Sequence, residues 1–180
     1  MRVLWAPWRY SYVRRAAEGE RGECVFCRIQ GMSDEEGLIV YRGETAMIVM
    51  NLYPYNTGHV MVMPKRHVAT FEALTPREKL ELMLLTEAAI RGLREALNPH
   101  GFNIGVNLGR VAGAGIEDHL HIHVVPRWNG DTNFMPVIAE TKVIPQDIRE
   151  TYRLIRGPVS RAASEILEAH RDALGRLEGP

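Results

Sequence analysis

Lysine, cysteine, net charge and long apolar runs are all scarce in this chain, and each shortage excludes something. Only Lys65, Lys79 and Lys142 are lysines among the 22 basic residues, and 22 acidic residues balance the basic set. With a formal net charge of zero, no overall field recruits nucleic acid or an anionic membrane surface. Two cysteines in 180 residues cannot staple a disulfide scaffold. No segment approaches the roughly 20 apolar residues of a membrane-spanning helix. The opening Met1-Arg2-Val3-Leu4-Trp5-Ala6-Pro7-Trp8 lacks the apolar centre of a secretory signal. The expectation is a soluble, cytoplasmic protein with neither nucleic acid nor membrane as partner.

The remaining composition is that of a globular protein, 46% apolar and 24% charged, with length for one domain plus extensions. Residues 1–22, rich in Trp, Tyr and Arg and without periodicity, read as an arm. Residues 23–140 read as the main domain and 141–180 as a helical extension. Strands are expected at 38–42, 45–51, 59–64, 102–108 and through the histidine run from 119, with a short strand at 135–138. A helix over 76–97 has strong start chemistry: Thr75 as N-cap, Pro76 at the first helical position and Glu78 as the return arm of a capping box. Asn98-Pro99 should stop it. Two more helical stretches, 146–155 and 160–177, are expected on either side of Gly157-Pro158. Strands arriving as hairpins around one helix imply an antiparallel sheet and the α+β class.

His119-Leu120-His121-Ile122-His123 is the most informative run. Alternate side chains of a strand point to opposite faces, so three imidazoles line one face about 7 Å apart while Leu120, Ile122 and Val124 cover the other. Chance alternation, a metal site built from all three, and phosphoryl or nucleotidyl transfer with one imidazole as nucleophile all fit that pattern. Cys24-x-x-Cys27 is equally open: two partly buried thiols, a redox pair or half a metal site.

H-L-H-I-H-V-V-P-R resembles the signature of the histidine triad family of nucleotide-binding proteins. Gly58-His59-Val60-Met61-Val62-Met63-Pro64-Lys65-Arg66-His67 resembles that family's second motif, and Asn51-Leu52 stands where the family holds a ribose. The resemblance spans about residues 24–128. It extends to a bacterial subgroup with a W-x-P-x-R start, an N-L-Y-P-Y-N-x-G-H loop and a helical tail, a subgroup that includes diadenosine tetraphosphate phosphorylases. It implies an antiparallel sheet of about five strands with a long helix, in a homodimer.

The resemblance also implies residue roles. His121 is the nucleophile, and His123 and His59 flank the phosphate. Asn107 is a phosphate-side amide donor, Asn51 binds the ribose, and Val49 and Leu52 line the base pocket. Cys24, Cys27, His67 and His119 form a closed structural zinc site, and no organic cofactor is implied. Hydrolase members carry a glutamine and a hydroxyl residue before the triad, where this chain has Gly113-Ala114-Gly115. Backbone N–H groups of these small residues can meet an anion and leave room for inorganic phosphate. The function expected is therefore phosphorolysis of a dinucleoside polyphosphate to ATP and ADP through a nucleotidyl-histidine. A hydrolase releasing AMP from phosphoramidates or dinucleotides shares every catalytic residue. A non-catalytic nucleotide-binding module would not need the nucleophile.

Overall fold

The computed structural model describes residues 24–132 and 143–177. The arm at 1–22, including Trp5, Trp8 and Arg9, and the strand expected at 135–138 lie outside the described residues. Five strands form one antiparallel sheet: β1 (Ile39–Arg42), β2 (Ala46–Met50), β3 (Val60–Pro64), β4 (Gly101–Gly105) and β5 (Ile122–Arg127). Their spatial order is β1-β2-β3-β5-β4. Among the described residues the α-helices are α1 (Val25–Gln30), α2 (Pro76–Leu97), α3 (Ile148–Ala169) and α4 (Arg171–Arg176), with a 3-10 turn at Arg110–Ala112. The α+β class is as expected. Among the described residues no helix is long and apolar enough to cross a membrane.

Side-chain alternation divides the sheet into two faces with different tasks. Val40, Ile48, Val60, Val62, Leu120, Ile122 and Val124 point to one face and build the main core with Leu82, Leu85, Leu93, Ile155 and Val159 of α2 and α3. Ile39, Met47, Val49, Met61 and Met63 point to the other, where Phe26 of α1 caps a smaller cluster. The histidines share that second face.

The start of α2 has the chemistry read from sequence. Thr75 accepts the Glu78 N–H at 3.2 Å and Glu78 accepts the Thr75 N–H at 2.7 Å, while Asn98 ends the helix in the left-handed region at φ 46°. Arg66 grips the same Glu78 through two contacts of 2.7 and 2.9 Å. This pair ties the segment leaving β3, which carries His67, to the helix N-terminus.

The C-terminal helices depart from expectation. The sequence predicts a break at Gly157-Pro158, but α3 runs unbroken through Pro158, and the chain turns instead at His170 into α4. Proline forfeits one helical hydrogen bond, and tertiary contacts hold the helix through that loss. Tyr152 Oη donates to the Ile39 carbonyl at 3.1 Å and Ser160 Oγ to the Val40 carbonyl at 2.9 Å. Tyr152, Ile155, Val159, Ala162, Ala163 and Ile166 are all buried. At the crossing, a Cβ on Gly92 would lie 2.4 Å from Val159 Cα, so only glycine lets the two backbones approach. Gly92→Ala is expected to destabilise the protein by about 2–3 kcal/mol, the upper range for overpacking. Thermal melting would show a drop of several degrees, and an unchanged midpoint would refute the close-packing account.

Two strand boundaries also shift. The β5 ladder begins at Ile122, so His119 and His121 precede the strand rather than lying inside it, His119 in a bend. There the Leu120 N–H bonds the Val68 carbonyl at 2.7 Å. The strand expected at 102–108 is Gly101–Gly105, because its ladder with β5 ends at the Gly105↔His123 pair.

Candidate functional site

Hydrogen bonds fix the ring tautomers of four histidines on the second face. The Tyr55 N–H donates to His59 Nδ1 at 3.0 Å, so that nitrogen is an acceptor and Nε2 carries the proton. His59 Nε2–H then donates to His123 Nδ1 at 3.0 Å, which leaves the His123 Nε2–H as a donor for a ligand. His121 Nδ1–H donates to the His119 carbonyl at 2.8 Å. Its Nε2 therefore bears a free lone pair, the state a nucleophilic imidazole needs. His119 Nε2–H donates to the Pro64 carbonyl at 2.8 Å, turning Nδ1 toward the cysteines.

Burial keeps these rings neutral. His59 is fully buried, and desolvation followed by repulsion from His123 and His121 lowers its pKa to about 3. Desolvation first, then His121, lowers His123 to about 4. His121 is lowered by desolvation, against its bond to the His119 carbonyl. At neutral pH the site thus presents lone pairs and N–H donors, and no imidazolium.

The same shifts make stability depend on pH. An unfolded histidine binds its proton near pH 6.5, whereas these folded rings bind it only at much lower pH. Between those values the unfolded state holds more protons, so stability is full above about pH 6.5 and falls as pH is lowered toward the folded values. Each ring is expected to contribute up to about 1.4 kcal/mol per pH unit across that window. Urea midpoints measured from pH 7 to pH 5 should decline, and the slope should flatten in His59→Gln. An equal slope in that variant would remove His59 as a source.

A second cluster adjoins the first. Cys24, Cys27, His67 and His119 bring their ligand atoms within 4.8 Å of one another. Cys24 Sγ lies 3.4 Å from His119 Nδ1, while Cys27 Sγ lies 3.5 Å from His67 Nδ1 and 3.8 Å from His119 Nδ1. A zinc tetrahedron with bonds of 2.3 Å to sulfur and 2.0–2.1 Å to nitrogen has S···N edges of about 3.6 Å. The cluster fits that ion, and the Pro64 carbonyl behind His119 is the outer partner that fixes a ligating imidazole. Cys24 is the N-cap of helix α1 and Cys27 lies within that helix, so its start places both thiols, and the Arg66–Glu78 pair helps place His67.

The other expected residues are distributed more widely. The carboxamide of Asn51 is engaged locally: Oδ1 accepts the Tyr53 N–H at 2.9 Å, and Nδ2 faces His59 Nδ1 at 3.4 Å. Val49 is buried in the second core cluster, whereas Leu52 is 60% exposed. Asn107 follows β4 on the side of His121, two residues past the Gly105↔His123 pair. In the loop before the triad, two of the amides expected to meet an anion have backbone partners. Gly113 N–H bonds the Arg110 carbonyl and Ala114 N–H the Gly109 carbonyl, because Gly109 and Gly113 adopt positive φ and fold the loop on itself. Gly115 lies in the bend that follows.

Sequence reasoning passed over two aromatic residues. Tyr55 places its ring 4.6 Å from His59 and 5.7 Å from His123, besides supplying the backbone donor that sets the tautomer chain. Phe26 lies edge-on to both His119 and His121, at 5.4 and 5.0 Å. Both sit inside motifs already singled out, so the signal was adjacency to a ligating or catalytic position.

Comparison with known proteins follows the same lines. The sequence model of the HIT domain matches residues 33–130. The chain is 49% identical over 158 residues to an AP-4-A phosphorylase of Mycobacterium tuberculosis, covering 84% of this chain and 81% of that one. It is 31% identical over 134 residues to a HIT-like protein of Methanocaldococcus jannaschii, covering 74% and 99%. Among solved structures, a zinc-bound histidine triad family protein from Mycobacterium smegmatis superposes with a TM-score of 0.64 at 29% identity, covering 79% of this chain and 97% of that one.

Proposed function

This chain belongs to the HIT domain family, and on that premise we propose that it transfers a nucleotidyl group from a dinucleoside polyphosphate to inorganic phosphate, with His121 as carrier. The observation that carries the reading is the orientation of His121, whose Nδ1–H is tied to the His119 carbonyl while Nε2 is left free to attack. The likeness to an AP-4-A phosphorylase supports diadenosine tetraphosphate as substrate.

In the first step His121 Nε2 forms a bond to the α-phosphorus and the bond to the bridging oxygen breaks, releasing ATP. The nucleotidyl-imidazole keeps its Nδ1–H on the His119 carbonyl, which stabilises the ring's developing positive charge. In the second step a phosphate oxygen attacks the same phosphorus, the P–N bond breaks, and ADP leaves with His121 neutral again. His123 Nε2–H, held by the His59 relay, donates to a phosphoryl oxygen in both steps. Asn107 donates to the same phosphoryl group, Asn51 holds the ribose, and Val49 and Leu52 border the base. The small Gly113, Ala114 and Gly115 leave room for the second anion.

Cys24, Cys27, His67 and His119 would hold a structural zinc that closes α1 onto the sheet; the S···N distances and the zinc-bound histidine triad relative support this. Four protein ligands leave no open position for substrate. Both cysteines are free thiols, the state that the reducing cytoplasm maintains, and the cytoplasm is the location proposed. The three-part organisation of arm, HIT domain at 23–140 and helical extension at 141–180 belongs to the same proposal. So does a homodimer paired along β4, an edge strand whose Ile104 is 50% exposed. Ile104→Lys should convert a dimer to a monomer in light scattering, and a mass unaffected by the substitution would reject that edge.

The deciding experiment is incubation with diadenosine tetraphosphate, with and without inorganic phosphate. ADP formed only with phosphate is the expected result. AMP formed irrespective of phosphate would make the protein a hydrolase, and no turnover would leave a binding module.

A further inference from the structure

We propose that Phe26 is a positioning residue for His121, through which the metal-binding helix sets the nucleophile's angle of attack. The inference rests on the reading of His121 as nucleophile. The hydrogen bond from His121 Nδ1 to the His119 carbonyl, together with the side chain's own torsions, restrains the imidazole but leaves a residual swing of the ring plane. Two flanking rings remove the swing. Phe26 meets His121 at 5.0 Å with an interplanar angle of 60°, and His123 meets it at 4.8 Å and 75°. Such edge-to-face contacts favour one relative orientation over a range of tilts.

The position of Phe26 follows from its place in the chain. It lies between Cys24 and Cys27 on α1, and both thiols converge on His119 Nδ1. Phe26 also packs edge-on against the His119 ring at 5.4 Å and 77°, and it is 2% exposed. Anchoring the two thiols therefore anchors the ring between them. The rest of its buried cluster is aliphatic and methionine-rich, with Met47, Met61 and Met63. Flexible thioether chains fill space without dictating an orientation, so within that cluster the stiff, flat surface against His121 is the phenyl ring. The ring contacts of Phe26 are with His119 and His121, so the role proposed for it is to orient the nucleophile and not to bind the substrate.

The test is rapid-quench measurement of nucleotidyl-enzyme formation with diadenosine tetraphosphate radiolabelled at the α-phosphorus, on the full-length zinc-loaded protein. Phe26→Leu keeps the apolar bulk and removes the flat ring; Phe26→Met is a second ring-less variant should the first fold poorly, and Phe26→Tyr restores the ring. In the ring-less variants the rate of adduct formation is expected to fall roughly tenfold or more, the scale of a small misplacement of a reacting group. KM should stay within about twofold and zinc per chain should match the wild type, because neither binding nor ligation uses the phenyl ring. Phe26→Tyr should recover most of the rate. A wild-type rate in both ring-less variants overturns the proposal, and so does a loss of zinc that parallels the loss of rate. His121→Ala is run alongside: an adduct that persists there removes the nucleophile reading itself, a failure distinct from that of Phe26.

Discussion

Replacing His121 with alanine is expected to lower turnover by roughly 10⁴-fold or more, the scale of losing a covalent nucleophile whose partners act only through it. No neighbouring group can stand in. His123 is the nearest imidazole, at a ring separation of 4.8 Å, but its Nδ1 is occupied by the His59 N–H, and its other nitrogen carries a proton. Nucleotide affinity should change little, since ribose, base and phosphoryl contacts are assigned elsewhere. The measurement is a pair: product formation by chromatography and equilibrium binding by calorimetry. Turnover retained within tenfold would show that the lone pair at His121 Nε2 is not the attacking atom.

The second large effect is expected from metal removal. An ion held by Cys24, Cys27, His67 and His119 binds the folded chain and stabilises it by mass action, by about 4 kcal/mol when free zinc exceeds its dissociation constant a thousandfold. For a protein of this size that corresponds to a fall in melting temperature of ~10 °C on chelation. Cys24→Ser should reproduce most of the fall and make the melt insensitive to chelator. The structural cause is local. Helix α1 has six residues and buries only Phe26, so without a cross-link it has little of its own to hold it on the sheet. A protein that purifies without zinc and melts unchanged with chelator would leave the cluster as two reduced thiols.

Local chemistry made much of this legible from sequence. The α2 capping box is written in four adjacent residues, and the structure has it as read. The alternation of His119, His121 and His123 with Leu120, Ile122 and Val124 correctly separates one face from the other. What failed depended on contacts distant in sequence. Pro158 reads as a helix breaker until Gly92 and the β1 carbonyls are placed beneath it. The early end of β4 and late start of β5 follow from where the two strands cease to pair, which neither strand's composition records. The loop at Gly113 illustrates a third limit. Glycine content announces positive φ but not which carbonyls the freed amides will find.

The lead-in to β5 also bears on how this chain folds. A slip of one residue in strand pairing exchanges the two faces of a strand. Here it would drive three imidazoles into the apolar core beneath α2 and α3, and turn Leu120, Ile122 and Val124 out among polar groups. Both moves are penalised together, by desolvation on one side and exposed hydrocarbon on the other. The three histidines, to which the proposed function gives chemical roles, are therefore also expected to act as a register lock, and misaligned intermediates at this strand should be short-lived. Variants that replace the histidines with apolar residues would lose that discrimination along with activity, trading a slow enzyme for one that also pairs its central strands less faithfully.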